Sequence, residues 1–430
     1  MVLRVASMLV GLLAIVSAWG ADLESEGPEG EQQGLATGDP GAPVEAVERE
    51  TQAQSDPLAE RQAEQVEKPK VWAEEPSSGD VYGSLRVRYR RTDDAGEGVW
   101  GDAGSRAGLA GRWQFRPRSW LFGRAEAGFN LLDGLDRVLN PEGRSKEERG
   151  AGAFLRLLYG GVELPNALVT VGKNWSPYYQ VSSFTDRFQG LGGQAVGTYN
   201  ARTDGGRTGT GRADGALQTR FLIDFLPKQV PLKPFHLNVQ LQHGNAIPTV
   251  AGEHYGIAFG LSALLKTRDD FALGVAYNRA EVPNPSDPTL RAAGIEGSAQ
   301  AFLAGGRWFQ DDWYLGATLA RLENHEATND DIYFNGWGGE VYGQYRIWRR
   351  LWAIGGWNQL EPDGDEADAG SYRIKYGVLG LRYTFDDFRR FVYLNVRVDD
   401  SRDADGSKIG NVYTIGVRWD FDWRVIARQR

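Results

Sequence analysis

The chain of 430 residues contains no cysteine and only two methionines. It therefore forms no disulfide and carries no cysteine for lipid anchoring, so its stability rests on hydrogen bonding and burial alone. Histidine is scarce. The four present (His236, His243, His254 and His325) show no metal-ligand spacing, and they read as lumen or loop polarity. Long apolar runs are missing as well. After the N-terminus no segment reaches the roughly 18 apolar residues that a membrane helix needs, and mean hydropathy is −0.44. These absences leave open a membrane-spanning β-barrel, whose strands alternate apolar and polar residues and keep hydropathy low.

Charge of one sign is concentrated in one place. Residues 21–80 hold 16 acidic and 4 basic side chains, whereas 81–430 hold 43 basic and 41 acidic. A nearly neutral body argues against a nucleic-acid partner. Residues 1–20, with Arg4 before an apolar stretch from Met8 to Val16 and small residues near Ala21, predict a signal peptide. Residues 21–80 are rich in Glu, Gln, Pro and Ala and poor in aromatics, which predicts a disordered periplasmic linker. A short helix within 44–67 and a binding role for this tail are the alternatives.

From Val81 the texture changes. In "PFHLNVQLQHG", Phe235, Leu237, Val239 and Leu241 share one face, and His236, Asn238, Gln240 and Gln242 share the other. The same alternation recurs in "VYGSLRVRYR", "ALQTRFLIDF", "FVYLNVRVDD" and "VYTIGVRWDFDW". About sixteen such segments are predicted, starting near residues 81, 104, 119, 150, 167, 215, 233, 253, 270, 296, 312, 334, 350, 371, 390 and 410. Those near 296 and 350 have ambiguous facing. The connections alternate long and short, as in "RTDDAGEGVWGD" then "RPRS", which is the pattern of long external loops and short periplasmic turns. Residues 81–430 are thus predicted to form an all-β, closed antiparallel transmembrane barrel. Tyr89, Trp113, Trp120, Tyr159, Trp313, Trp348, Trp352, Tyr383, Trp419 and Trp423 are expected in its interfacial girdles.

The segments "VYGSLRVRY", "GSRAGLAG", "VTVGKNWSPYY" and "TDRFQGLGG" resemble, in this order, the first strand, second strand, fifth strand and third loop of the general Gram-negative porins. The resemblance implies a sixteen-stranded barrel in the outer membrane, usually a homotrimer in contact with lipid and lipopolysaccharide. It also implies a third loop folded inward to narrow a pore. On that pattern Arg106, Lys173 and Arg212 fall at basic wall positions, and Tyr178, Asp186, Arg187 and Asp204 fall in the constriction loop. Three features depart from the family. Ser84 stands where lysine is common, the loop is poor in acids, and "RVIARQR" follows the usual terminal aromatics.

Independently of the resemblance, Arg86, Arg88 and Arg90 share one strand face about 6–7 Å apart. At the lipid midplane each would cost roughly 2–4 kcal/mol, so they are expected to face a hydrated lumen. The same reasoning places Arg220, Arg397 and Arg418 inside. The glycine-rich stretch out to about Arg212 is then expected to lie in the barrel, held by Arg and Asp pairing with wall charges; a mobile external loop is the alternative. The expected function is passive diffusion of ions and small hydrophilic solutes, with a weak anion preference. A substrate-selective channel, for phosphate or oligosaccharide, and a structural protein using its acidic tail remain alternatives. An aromatic track for sugars is not visible. No enzymatic dyad, cofactor motif or metal motif stands out; "DADGSK" and "DGDEAD" are weak calcium candidates.

Overall fold

The computed structural model describes residues 77–94, 96–132, 153–223, 234–267, 271–386 and 388–426. The expected signal peptide, the helix within 44–67 and nearly all of the 21–80 linker lie outside the described residues. Among the described residues, seventeen strands and two short α-helices follow in chain order. They are β1 (Ser78–Thr92), β2 (Val99–Asp102), β3 (Arg106–Arg116), β4 (Ser119–Phe129), β5 (Ala153–Leu164) and β6 (Ala167–Trp175). Next come α1 (Pro177–Ser182), β7 (Arg212–Ile223), β8 (Phe235–His243), β9 (Ile257–Lys266), β10 (Phe271–Ala280) and α2 (Pro288–Ala292). The chain continues through β11 (Ala299–Gln310), β12 (Trp313–Ala327), β13 (Tyr333–Trp348), β14 (Leu351–Pro362), β15 (Ile374–Asp386), β16 (Arg390–Asp399) and β17 (Val412–Ile426).

Hydrocarbon offers no partner for a backbone N–H or C=O, so a spanning sheet must close on itself. This one does. Each strand pairs antiparallel with its neighbour, and β1 pairs with β17 from Ser78 opposite Ile426 to Thr92 opposite Val412. β2 and β3 together occupy one place in the wall. Both pair with β1, the first through Val99 opposite Arg90 and the second through Arg106 opposite Ser84. The break between them is satisfied locally, because Asp102 Oδ2 accepts from the Gly104 and Ser105 amides at 2.7 and 2.8 Å. The wall is therefore sixteen-stranded.

Apart from β2, which lies within "RTDDAGEGVWGD", a stretch read from sequence as a connection, strand starts fall within four residues of those read from the alternation. β1 begins at Ser78, inside the segment assigned to the linker, and β17 runs beyond Trp423 to Ile426, so the last strand is extended. The tight connections at 117–118, 165–166, 311–312 and 349–350 all lie at the end of the barrel where β1 begins.

Alternation sets the two faces. Leu109, Leu315, Leu319, Ile415 and Val417 point outward and are exposed, while Ser84, Arg86, Arg88, Thr414 and Arg418 point inward and are buried. So much apolar surface on the outer wall needs an apolar solvent. Outward aromatics form a belt near the tight turns (Trp113, Trp308, Tyr345, Trp348, Tyr383, Trp419 and Trp423). A second group, Trp100, Trp337 and Trp357, stands toward the other end. Three residues expected in the girdles do not belong there. Trp120 and Trp352 are buried, and Tyr159 sits opposite inward-facing Arg124. Each occupies the inward phase of its strand, and aromatic character alone did not reveal that phase.

Val417 lies between the two belts on the outward face. Val417→Arg is expected to lower folding stability by about 2–4 kcal/mol, and Val417→Ile by under about 1.5 kcal/mol. Urea titration of barrel folding into phospholipid vesicles measures both.

Candidate functional site

The interior is two-sided. On β9 to β14 the inward residues are mostly apolar: Leu264, Ala272, Ala276, Ala301, Leu303, Ala320, Leu322 and Leu360. They are covered by the segment between β6 and β7, residues 176–211, through Val181, Phe184, Ala195 and Val196. A second cluster joins Phe188 and Leu191 of the same segment to Tyr314, Tyr342, Ile354 and Tyr376. The wall is smooth where the segment lies closest. A Cβ on Gly316 would collide with the Phe184 carbonyl, and one on Gly338 with the Ala195 carbonyl. The segment begins with α1, whose first turn is capped by Ser176 accepting from the Tyr179 amide at 3.0 Å.

Polar tethers fix this segment across the barrel. Glu340 on β13 accepts from Thr185 Oγ1 at 2.7 Å and from the Ala195 amide at 2.9 Å. Glu326 on β12 accepts from the Ala201 amide at 3.0 Å, and His325 Nε2 donates to the Gly197 carbonyl at 2.7 Å. From the other side, Gln240, Gln242 and Asn278 donate to the carbonyls of Gly209, Arg207 and Thr208 at 3.0, 2.8 and 2.8 Å. Ionic pairing contributes as well. Asp204 meets Lys173 Nζ at 2.9 Å and Arg212 Nε at 3.2 Å, and Arg202 pairs with Asp331. The expected pairing of the segment's Arg and Asp with wall charges is present at Asp204 and Arg202, and other contacts add to it. Apolar contact and hydrogen bonds to backbone groups dominate, because a glycine-rich segment offers mainly its backbone to the wall.

The remaining inner wall is cationic. Arg86 and Arg88 on β1, Arg106 on β3, Arg124 on β4, Arg156 on β5, Arg212 on β7, Arg382 on β15, Arg397 on β16 and Arg418 on β17 are all buried on the inward side. Glu126 bridges Arg124 at 3.0 Å and Arg156 at 2.8 Å. Asp420 holds Arg418 through both carboxylate oxygens at 2.7–3.0 Å. Arg220 donates to Asn238 Oδ1 at 2.7 Å and to Gln180 Oε1 of the segment at 3.0 Å.

A Gram-negative porin profile matches residues 52–423. The chain belongs to the Gram-negative porin family. Solved porin-like barrels share its fold at low sequence identity. The OmpF of Salmonella typhi, solved in complex with daunomycin, aligns with a TM-score of 0.64 at 21% identity, over 80% of this chain and 97% of that one. The outer-membrane channel DcaP of Acinetobacter baumannii gives 0.57 at 12% identity, over 81% and 99%. The trimer form of OmpT, an outer-membrane protein of Vibrio cholerae, gives 0.54 at 16%, over 81% and 100%. No curated protein sequence matches the chain.

In this porin the predicted site residues divide between wall and segment. Arg86, Arg88, Arg106, Arg212 and Arg220 lie on the inward wall, and Lys173 sits at a strand irregularity beside Arg212. Tyr178, Asp186, Arg187 and Asp204 all lie in the segment. Tyr178 is fully buried and donates to the Val196 carbonyl at 2.7 Å. Asp186 accepts from Tyr199 Oη at 2.6 Å, and Arg187 lies 4.1 Å over the Tyr314 ring. The sequence reading missed Arg124, Arg156, Arg382, Glu126, Glu326 and Glu340. Strand phase could have found several: Glu340 shares its phase with Tyr342 and Gln344, and Arg124 and Glu126 share theirs with Trp120. Inward aromatics were missed too, although Tyr342, Tyr376, Phe391 and Tyr393 stand among the arginines, with Arg397 only 3.9 Å over Tyr376. Of the histidines, His236 and His325 face inward and are buried. Among the described residues no group of three or more His, Asp or Glu is placed to hold a metal ion.

Burial raises the Asp204 carboxyl, but Arg212 and Lys173 outweigh it and bring it down to about 2. Burial, and then the Asp186 charge, push the Tyr199 hydroxyl well above its ordinary range, so it stays a donor. A carboxyl depressed on folding adds stability above its unfolded value near 4 and loses it as pH falls through the folded value. The clasp of Asp204, Lys173 and Arg212 is therefore expected to hold at pH 5 and release near pH 2. Thermal unfolding should show Asp204→Asn less stable than the parent at pH 7, with the difference vanishing near pH 2. Glu340→Ala leaves the Ala195 amide without its acceptor, which costs about 1–3 kcal/mol. Hydrogen exchange at Ala195 should accelerate roughly tenfold or more, with exchange in β1 and β17 unchanged.

Proposed function

We propose that this porin is a passive channel through the outer membrane for ions and small hydrophilic solutes, with a preference for anions. The observation that carries the reading is the division of the inner wall. The β6–β7 segment occupies the apolar side on β9 to β14, which leaves the arginine side, from β15 through β1 to β7, to border the water path. Clusters of fixed charge filter ions by sign. Because the segment takes up lumen cross-section, it sets the size limit, and Tyr178, Asp186, Arg187 and Asp204 act as parts of that constriction.

Export through residues 1–20 fits this placement. The outward apolar wall and its aromatic belts fit contact with lipid and lipopolysaccharide. A homotrimer is the assembly we infer from the OmpT of Vibrio cholerae solved in trimer form. The reading assigns no enzymatic step and no cofactor.

Reversal potentials across a planar bilayer with a salt gradient test the preference. The parent channel should favour chloride over potassium. Arg106→Glu and Arg418→Glu should each move the reversal potential toward potassium. Clear cation selectivity in the parent would contradict the reading, and absence of any conductance would remove the channel itself.

A further inference from the structure

One row of the inner wall collects donors that lack acceptors. Arg382 on β15, Tyr393 on β16, Gly416 on β17 and Arg88 on β1 stand side by side in the register. Neighbouring strands are about 4.8 Å apart. Arg418 follows Gly416 two residues along β17, on the same face. Gly416 has no side chain, and Tyr393 fills the space above it, so a Cβ at 416 would collide with the Tyr393 Cζ and Oη. The phenol therefore leans across β17 toward Arg88. Its hydroxyl lies where the charges of Arg88, Arg418 and Arg382 act on it.

Neighbours orient two of these guanidiniums and leave each a donor over. Arg418 gives Nε and Nη2 to Asp420. Arg382 gives Nη1 to Gln344 Oε1 and Nη2 to Tyr342 Oη, both at 3.4 Å. Both also stand over the Phe391 ring, with Cζ 5.0 Å from its centroid for Arg382 and 5.6 Å for Arg418. Among the described residues, Arg418 Nη1, Arg382 Nε, Arg88 Nη1 and Tyr393 Oη have no hydrogen-bond partner. Their side chains belong to residues 8% exposed or less, with Arg88 the most exposed at 7%. A buried donor without an acceptor is costly, and more so when it is charged. Asp420 is committed to Arg418, whereas Arg88 and Arg382 form no ion pair with a carboxylate among the described residues.

Resting on the channel reading, we propose that Arg88, Arg382, Tyr393 and Arg418 form a binding site for a divalent tetrahedral oxyanion, sulfate or a phosphoryl group, on the wall of the water path. Two cations without a carboxylate match a double negative charge. The donors come from four different strands, so the ligand needs acceptors pointing in several directions. A tetrahedral oxyanion supplies them, and guanidinium forks match its oxygens. A carboxylate offers two oxygens in one plane and a single charge. Tyr393 adds a neutral donor, so the site selects by hydrogen bonding as well as by sign. Gly416 is a positioning residue, because its missing side chain lets the phenol lie across β17.

Equilibrium dialysis of radiolabelled sulfate against the full chain folded in detergent, at constant ionic strength and about pH 8, where phosphate is divalent, reads binding without any current. The parent should bind sulfate saturably. Inorganic phosphate should displace it, and acetate should do so about tenfold less well or worse. Displacement by methyl phosphate extends the site to phosphoryl groups on organic solutes, and displacement by inorganic phosphate alone confines it to free ions. Tyr393→Phe keeps the ring and every charge. It should weaken sulfate binding about tenfold and leave the chloride-over-potassium reversal potential unchanged. Arg88→Gln should weaken binding at least as much, and Tyr393→Phe decides alone if that variant does not fold. No saturable binding in the parent, equal binding in parent and Tyr393→Phe, or acetate as effective as phosphate overturns the site. Binding that Tyr393→Phe weakens, in a protein that conducts no ions, keeps the site and removes the channel reading instead.

Discussion

Closure of the sheet is the constraint on which everything else depends. In hydrocarbon an unpaired backbone group costs several kcal/mol, so β1 and β17 must meet along their whole length. They do so through fifteen consecutive register positions, from Ser78 opposite Ile426 to Thr92 opposite Val412. Once the ring closes, each strand has one face toward lipid and one toward the interior, and the sequence must alternate to satisfy both. The interruption between β2 and β3 is tolerated because the Asp102 carboxylate supplies acceptors for the Gly104 and Ser105 amides.

A barrel of this size has an interior too wide for its own side chains to fill. The chain divides that space instead of leaving it uniform. One side is apolar and smooth, with glycines where the β6–β7 segment presses on it. The other side is lined by buried arginines. The first arrangement uses burial to hold a glycine-rich segment that has little side-chain packing of its own. The second keeps fixed positive charge beside whatever passes through. Glu340 belongs to the first side even though it is charged. It serves as an acceptor for segment groups at Thr185 and Ala195, and replacing it would leave those donors buried and unmade.

Strand order and strand starts were legible because a strand with one greasy and one wet face leaves a period of two in the sequence. "PFHLNVQLQHG" and "VYTIGVRWDFDW" show it without ambiguity, and the structure follows them. The segments near 296 and 350 were ambiguous for a physical reason. Inward Ala299, Ala301 and Leu303 on β11 and inward Ile354 on β14 are apolar because another part of the chain, rather than water, covers them. Alternation cannot announce a partner that arrives from far along the sequence. The same limit explains Trp120 and Trp352, whose aromatic character suits an interface as well as an interior. The arginines of β1, β7, β16 and β17 were readable because a cation on the lipid face is too costly to consider. Glu126, Glu326 and Glu340 were not singled out, because their role is set by the groups that face them. Those groups, Arg156 for Glu126, Ala201 for Glu326 and Thr185 for Glu340, are remote in sequence.

The central claim is that odd positions of β17 touch acyl chains while even positions enclose water. Single cysteines placed at Thr414, Ile415, Val417 and Arg418, one at a time, test it directly in a chain that has no other thiol. In protein folded into vesicles, a water-soluble, bilayer-impermeant thiol reagent should modify positions 414 and 418 and spare 415 and 417. A fluorophore attached at 415 or 417 before folding should be quenched by a lipid-bound quencher. Equal labelling at all four positions, or quenching at 414 and 418, would contradict the account.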